Sequence, residues 1–362
     1  MPFLGIIGQD KVCKILDRLL LADKYMPLLF VGQPGVGKRT VALKFAQSVN
    51  CEKGSGRACG ICAICTRIAK LNHPDVRLVM PVRRSAKSKE NESTGKAAEE
   101  SPKPVRGALE EIIRHYPDYT LDKAQPQVPP NFSIPIDAIR WLGAEMAKPP
   151  VSARVRFFII LSAHQLNEQA QNALLKILEE PQANTLFILT ATNPNALFAT
   201  IRSRCQLIRF ADIPEAAIVD FLKQHEAADA QNLAARQLAA ALGQGSIGKA
   251  LSALNNLDEF ISQPVIDYLK QDSGNAGLFA VLDEIGDTAL NTIVNTALFF
   301  YHNNLRRRLG YNYLSQFGSE TVINYPIPLL RKKLAYLYER FHECQLNTNR
   351  SLSLYTFLSE AR

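Results

Sequence analysis

The chain has 362 residues, of which 47% are hydrophobic and 21% charged, and its formal net charge at pH 7 is +8. This length is sufficient for two or three domains with separate cores, and the composition is ordinary for a globular protein. No run reaches the roughly 18 apolar residues that a membrane-spanning helix needs, and the apolar part of the N-terminus is too short for a signal peptide. We therefore expect a cytoplasmic protein with reduced thiols and no membrane partner. The mild positive charge fits either a solvated surface or work near nucleic acid.

Strand and helix patterns alternate through residues 1–210. A helix is predicted first, then a short apolar strand that runs into a glycine-rich turn, then a second helix. In chain order the predictions are helix 10–22, strand 28–32, helix 41–50, strand 75–80, helix 136–147, strand 156–163, helix 167–180, strand 185–192, helix 194–201 and strand 206–210. Nearly continuous apolar strands are typical of a parallel sheet covered on both faces. The alternation predicts a doubly wound α/β domain.

Composition changes twice along the chain. Residues 83–107 contain no large apolar residue except Val105 and are rich in Lys, Glu and Ser, so we predict a disordered insertion there. After residue 210 the strand patterns end. Short helical patterns over 211–262 predict a small helical domain, and long amphipathic runs over 263–362 predict an all-helical C-terminal domain.

The turn after the first predicted strand reads GQPGVGKRT over 32–40 and nearly matches the phosphate-binding pattern G-x-x-x-x-G-K-[ST]. The phosphate cradle would consist of Gly32, Gly35, Gly37 and Lys38. The next position should carry a hydroxyl for Mg²⁺, but it is Arg39, and Thr40 comes one residue late. Nucleotide or phosphate binding stays possible, because backbone amides and a lysine need no metal. The alternative is that the loop only keeps the strand-to-helix turn tight.

A P-loop ATPase also needs an acidic residue after an apolar strand to hold Mg²⁺. Here the strand RFFIIL is followed by Ser162, Ala163 and His164. Losing a catalytic carboxylate typically costs orders of magnitude in rate. We therefore expect that this chain does not hydrolyse ATP, and an active ATPase is the competing hypothesis.

Four of the seven cysteines form the pattern C-x7-C-x2-C-x2-C. They are Cys51, Cys59, Cys62 and Cys65. Four thiolates at this spacing are typical of a closed tetrahedral zinc site, which predicts a structural zinc module over 51–65. A redox-active C-x-x-C pair and an iron–sulfur cluster are the alternatives.

Taken together, these features resemble the bacterial clamp-loader branch of the AAA+ proteins. The resemblance rests on GQPGVGK, the four cysteines, NALLKILEEP over 172–181 and IRSRC over 201–205, and it covers most of residues 1–262. It implies an AAA+ α/β domain with an inserted zinc module, followed by a helical lid and an all-α collar domain. Active relatives carry an Asp-Glu pair at Ser162 and Ala163, and a sensing Arg at Gly248.

The resemblance also implies roles and partners. Within IRSRC, Arg204 would be an arginine finger acting in trans on the ATP of a neighbouring subunit, with Arg202 as an auxiliary. From the residues alone, the alternative is a surface arginine in a weak ion pair. The implied partners are gamma/tau and delta clamp-loader subunits, with the sliding clamp and primed DNA reached through the complex. The chain would then be a non-hydrolysing accessory subunit of DNA polymerase III. A zinc-containing DNA-binding module with a vestigial P-loop is the remaining alternative.

Overall fold

The structure, a computed structural model, describes residues 6–22, 25–54, 57–83, 132–225, 233–255, 262–270, 290–310 and 325–344. Apart from Arg83, the insertion predicted at 83–107 lies outside these residues. Within them, no helix has both the length and the apolar character needed to cross a membrane.

The chain forms two compact units. One is Met1–Ala217 with Gly245–Gly248, and the other is Ile218–Gln244 with Lys249–Arg362. The domain limits expected from the sequence, 1–210, 211–262 and 263–362, therefore remain a prediction.

The first unit is built on a parallel sheet. The strands of the described chain are β1 (Leu28–Val31), β2 (Val76–Val79), β3 (Val82–Arg83), β4 (Phe132–Ser133), β5 (Arg156–Ile160), β6 (Thr185–Ala191) and β7 (Gln206–Arg209). Five of them form the sheet in the order β2-β5-β6-β1-β7, and every pair is parallel. β3 and β4 form a separate antiparallel pair in which Arg83 faces Phe132. The predicted parallel α/β sheet is confirmed.

Helices cover both faces of this sheet. The described helices are α1 (Asp10–Ala22), α2 (Lys38–Asn50), α3 (Ala63–Ala69), α4 (Ile136–Ala147), α5 (Glu168–Glu179), α6 (Ala199–Arg204), α7 (Glu215–His225), α8 (Leu233–Gly243), α9 (Ile247–Asn255), α10 (Gln263–Lys270), α11 (Leu290–Arg308) and α12 (Ile327–Cys344). Successive strand residues point to opposite faces. Phe157 accordingly packs in the apolar cluster formed with α1 and α2, whereas Phe158 packs in the cluster formed with α4 and α5.

One helix prediction was wrong. In place of a continuous helix over 194–201, the structure has a 3-10 turn at Pro194–Ala196 and begins α6 only at Ala199. The buried side chain of Gln171 stabilises the break between them. Its Oε1 accepts from the N–H of Phe198 at 2.8 Å, and its Nε2 donates to the carbonyl of Ala196 at 3.2 Å. A side chain from another helix therefore replaces the hydrogen bonds that a continuous helix would have made.

A buried carboxylate holds the loop that leads into β5. Asp75 is 3% exposed and accepts the N–H groups of Val151, Ser152 and Ala153 at 2.8 to 2.9 Å. The neighbouring His73 accepts the N–H of Asp75 at Nδ1, and its Nε2 lies 3.4 Å from the Ser152 hydroxyl. Because Nδ1 accepts, neutral His73 carries its proton on Nε2 and donates to Ser152. This cluster therefore stabilises the loop and does not activate Ser152 as a nucleophile.

We expect the stability of the first unit to fall in acid. Burial raises the pKa of Asp75, but the three N–H donors outweigh it and hold that pKa below the ordinary value. Burial also lowers the pKa of His73. A carboxyl with a lowered folded pKa loses its stabilisation as pH falls through that folded pKa. A histidine with a lowered folded pKa destabilises the fold as pH falls through its unfolded value near 6.5.

Both groups therefore act in the same direction, and the effect starts below about pH 7. Asp75→Asn should lower the free energy of unfolding by about 1–3 kcal/mol at neutral pH, because one carboxylate oxygen is lost as an acceptor. It should also weaken the pH dependence below about pH 4. Urea unfolding at several pH values measures both effects. Asp137→Asn, at an exposed position in α4, is the matched control, and equal effects from the two variants would contradict the assignment.

Candidate functional site

The carboxyl end of β1 leads into the predicted phosphate-binding loop. Gly35 and Gly37 have left-handed backbones with φ of 76° and 95°, which favours glycine at both positions. At Gly32 an added Cβ would lie 2.8 Å from the Cβ of Phe210. Lys38 follows as the first residue of α2. The structure thus brings the four predicted cradle residues together in one strand–turn–helix unit, the geometry on which phosphate binding by such loops depends.

A second segment of the same unit packs onto this loop. The N–H of Gly248 donates to the carbonyl of Gly35 at 3.0 Å, and the Ser246 hydroxyl donates to the carbonyl of Pro34 at 2.8 Å. A Cβ on Gly248 would lie 2.9 Å from the Cα of Gly35. The backbone approach therefore leaves no room for a side chain at Gly248, the position at which the resemblance implies a sensing arginine in active ATPases.

The lysine of the loop contacts the loop itself. The Nζ of Lys38 donates to the carbonyls of Gly32 and Gln33 at 2.6 and 2.7 Å. Burial lowers the pKa of Lys38 to about 8. Arg39 is also buried, with 6% of its surface exposed. Arg39 stands at the sequence position of the Mg²⁺-binding hydroxyl, and a guanidinium has only hydrogen-bond donors, so it cannot ligate a divalent metal.

Residues 161–167, which connect β5 to α5, contain no carboxylate. Ser162 has a left-handed backbone with φ of 51° and donates its N–H to Thr190 Oγ1 at 3.0 Å. The Nε2 of His164 lies 3.2 Å from Thr192 Oγ1. Burial lowers the pKa of His164, and the charge of Lys38 lowers it further.

Thr190 and Thr192 were missed by the sequence analysis. The sequence does contain a signal for them, because both are polar residues at the carboxyl end of the mainly apolar run TLFILTAT. In a parallel α/β sheet, ligands bind at the edge formed by the carboxyl ends of the strands.

Arg204 and Arg202 lie in the last turn of α6. The Nη2 of Arg204 forms an ion pair of 2.6 Å with Glu179 at the end of α5, and its Nη1 donates to the carbonyl of Thr200 at 3.1 Å. Arg202 donates to Asn195 Oδ1 at 2.7 Å. Cys205 follows α6 and is buried. Both arginines are therefore held by contacts within their own chain, whereas Cys205 and Ile201 belong to the core.

The four clustered cysteines meet in one place. Their Sγ atoms all lie within 4.8 Å of one another. Cys51 follows α2, while Cys62 is the N-cap of α3 and Cys65 lies in the first turn of that helix. Zn–S bonds of about 2.3 Å in a tetrahedron separate the sulfurs by about 3.8 Å. The side chains therefore need little movement to hold one zinc ion.

Backbone N–H groups point at two of these sulfurs. The N–H of Cys62 donates to the Sγ of Cys59 at 3.3 Å, and that of Cys65 donates to the Sγ of Cys62 at 3.4 Å. The N–H groups of Cys62 and Ile61 lower the pKa of Cys59 to about 6. Burial raises the pKa of Cys65, so its deprotonation depends on a bound cation. The donor set fits zinc, which these four residues would hold.

The parallel sheet and the P-loop at its carboxyl edge place this chain in the α/β P-loop class. The model of the family described as "DNA polymerase III, delta subunit" matches residues 8–214, which is more than half of the chain. The chain belongs to this family and is a clamp-loader AAA+ protein.

Curated relatives agree with the family. The DNA polymerase III subunit delta' of Bacillus subtilis is 29% identical over 219 residues, which are 60% of this chain and 52% of that protein. The tau subunit of the same organism is 28% identical over 264 residues, which are 71% of this chain and 38% of that protein. The chain thus spans about half or less of the length of these relatives.

Among solved structures, a DNA polymerase III gamma subunit-related protein from Thermotoga maritima is 14% identical, with a TM-score of 0.45. The comparison covers 96% of this chain and 98% of that chain.

Proposed function

We propose that this chain is a delta-prime-type subunit of the DNA polymerase III clamp loader. It supports a ring with gamma/tau and delta subunits in the cytoplasm, and it does not hydrolyse ATP itself. It supplies Arg204, with Arg202 as auxiliary, to the ATP site of a neighbouring gamma/tau subunit. The ring loads the sliding clamp onto primed DNA during replication. The observation that carries this proposal is the sequence Ser162-Ala163-His164 after β5, at the edge of the sheet where Lys38 lies.

The residues around the P-loop account for a loss of ATP hydrolysis without a loss of the fold. Hydrolysis needs a carboxylate that holds Mg²⁺ and a residue that orients the attacking water. Neither Ser162 nor Ala163 can do this, and a neutral His164 beside Lys38 adds no negative charge. Lys38 and Gly248 both bond carbonyl groups of the loop. A phosphate that binds the loop would compete for Lys38, and its hydrolysis would still lack the carboxylate.

The zinc ion has a structural role in this proposal. Four sulfur ligands leave no open coordination position for a substrate or a water molecule. The cluster would join the end of α2 to the start of α3, where Gln47 already donates to the carbonyl of Cys65 at 2.7 Å. The zinc ion would therefore fix the start of α3 against the end of α2, the helix that follows the P-loop.

The isolated chain should show no ATP turnover above background. Phosphate release with Mg-ATP measures this, with a gamma/tau subunit of the same organism as the active reference. Lys38→Ala is the control variant and should behave like the wild type. Turnover in the wild type that Lys38→Ala abolishes would instead establish an active gamma-type ATPase.

A further inference from the structure

Arg204, the arginine finger proposed above, forms hydrogen bonds with residues of its own chain. Both terminal nitrogens of Arg204 have partners, because Nη2 pairs with Glu179 and Nη1 bonds the carbonyl of Thr200, one turn back along α6. The side chain therefore folds back along its own helix. To reach a nucleotide on another subunit, it has to leave these partners.

The position of Glu179 also calls for a partner. It is the last residue of α5, and a negative charge near the C-terminal end of a helix interacts unfavourably with the helix dipole. Glu179 therefore does not stabilise α5 by its position, and its ion pair with Arg204 compensates for the unfavourable charge. Because the two side chains are 48% and 35% exposed, the pair is weak enough to be exchanged for another partner.

We propose that Glu179 is a positioning residue that holds Arg204 back from the neighbouring ATP site until a bound nucleotide captures the guanidinium. This inference rests on the finger role proposed above. The phosphates of ATP carry several negative charges, and so they compete well against one partly solvated carboxylate. The apparent affinity of the neighbouring site for ATP, as far as it depends on Arg204, is multiplied by the fraction of Arg204 that is free of Glu179. Glu179 thus determines how readily Arg204 contacts the nucleotide of the neighbouring subunit.

The test is ATP turnover by the loader reconstituted from the full chain, its gamma/tau and delta partners, the clamp and primed DNA. Glu179→Gln keeps the shape of the side chain and removes its charge. We expect kcat/KM for ATP to rise about two- to fivefold, the range that one exposed ion pair can supply. Glu180→Gln is the matched control, since it removes the same charge one residue further along, and no contact of Glu180 with Arg204 is seen in the described part of the chain.

Salt gives a second measurement that a purely structural role would not change. An exposed ion pair is screened as ionic strength rises, so the difference between wild type and Glu179→Gln should narrow in high salt. Glu179→Ala should behave like Glu179→Gln. Agreement between the two variants would show that the effect does not come from the new amide group. Unchanged or reduced kcat/KM in both variants would overturn the inference.

Arg204→Ala separates this inference from the proposed function. In the Arg204→Ala background, Glu179→Gln should cause no further change. If Arg204→Ala lowers turnover but Glu179→Gln matches the wild type, the finger stands and the positioning role fails. If Arg204→Ala leaves turnover unchanged, the finger proposal itself fails.

Discussion

Replacing Arg204 with alanine is expected to abolish fast ATP hydrolysis at one site of the reconstituted clamp loader. A guanidinium that neutralises charge on the transferred phosphoryl group contributes about 10³ to 10⁵ in rate in other phosphoryl-transfer systems. The loss should be confined to the neighbouring site, because the other sites of the ring do not use this chain's arginine. Clamp loading should fall with it, while assembly of the subunits stays intact.

Rapid-quench measurement of ATP hydrolysis with clamp and primed DNA resolves this effect. The fast phase should lose the amplitude of one site per ring, and gel filtration should show the same complex as the wild type. Arg140→Ala is the control, since Arg140 is another exposed arginine, in a 3.4 Å pair with Asp137 on α4. A full fast phase in the Arg204→Ala loader would mean that Arg204 makes only a surface ion pair and that the chain is a scaffold.

Removing one cysteine of the cluster should have the second large effect. We expect one zinc ion per chain in the wild type and none in Cys65→Ser. Structural zinc contributes about 10–16 kcal/mol of apparent binding free energy in zinc-finger peptides at pH 7, which exceeds the stability of most domains. Its loss should therefore unfold the segment between α2 and α3. Cys65 is the most informative position because its side chain is fully buried against α2.

Elemental analysis and thermal unfolding with and without a chelator measure the metal and its effect. Cys13→Ser is the matched control, because this half-buried thiol lies outside the cluster, and its zinc content should equal that of the wild type. Iron with visible absorption in place of zinc would establish the iron–sulfur alternative. A metal-free chain with paired cysteines would establish the redox alternative.

The sheet was predictable because its central strands are uninterrupted runs of mainly apolar residues. RFFII and TLFILTA are apolar apart from Arg156, Thr185 and Thr190, and the structure buries every residue of both strands. The intervening helices have clear apolar spacing. The break between Pro194 and Ala199 was not predictable, since it depends on Gln171, a residue on another helix whose side chain supplies the missing hydrogen bonds. Local sequence pattern carries no information about such a partner.

The candidate sites also contain parts that the sequence predicts and parts that it does not. The P-loop and the cysteine cluster are contiguous in sequence, so their residue types and spacing predict which side chains meet. The partner of Arg204 is Glu179, which is 25 positions away and belongs to a different helix. The closure of the loop by Gly248 is also a long-range contact. Pairings of this kind follow from the packing of elements and become visible only in the folded chain.

The short antiparallel pair of β3 and β4 has a practical consequence for protein engineering. Arg83 and Phe132 face each other across this pair, and facing residues of antiparallel strands have Cα atoms only about 4.5–5.5 Å apart. A gap of this size can be closed by a two-residue turn. A short turn or a fluorescent tag in place of residues 84–131 would therefore begin and end at the spacing that the two strands impose. Such a fusion would mark the first unit at a point that is separate in sequence from the P-loop and the cysteine cluster.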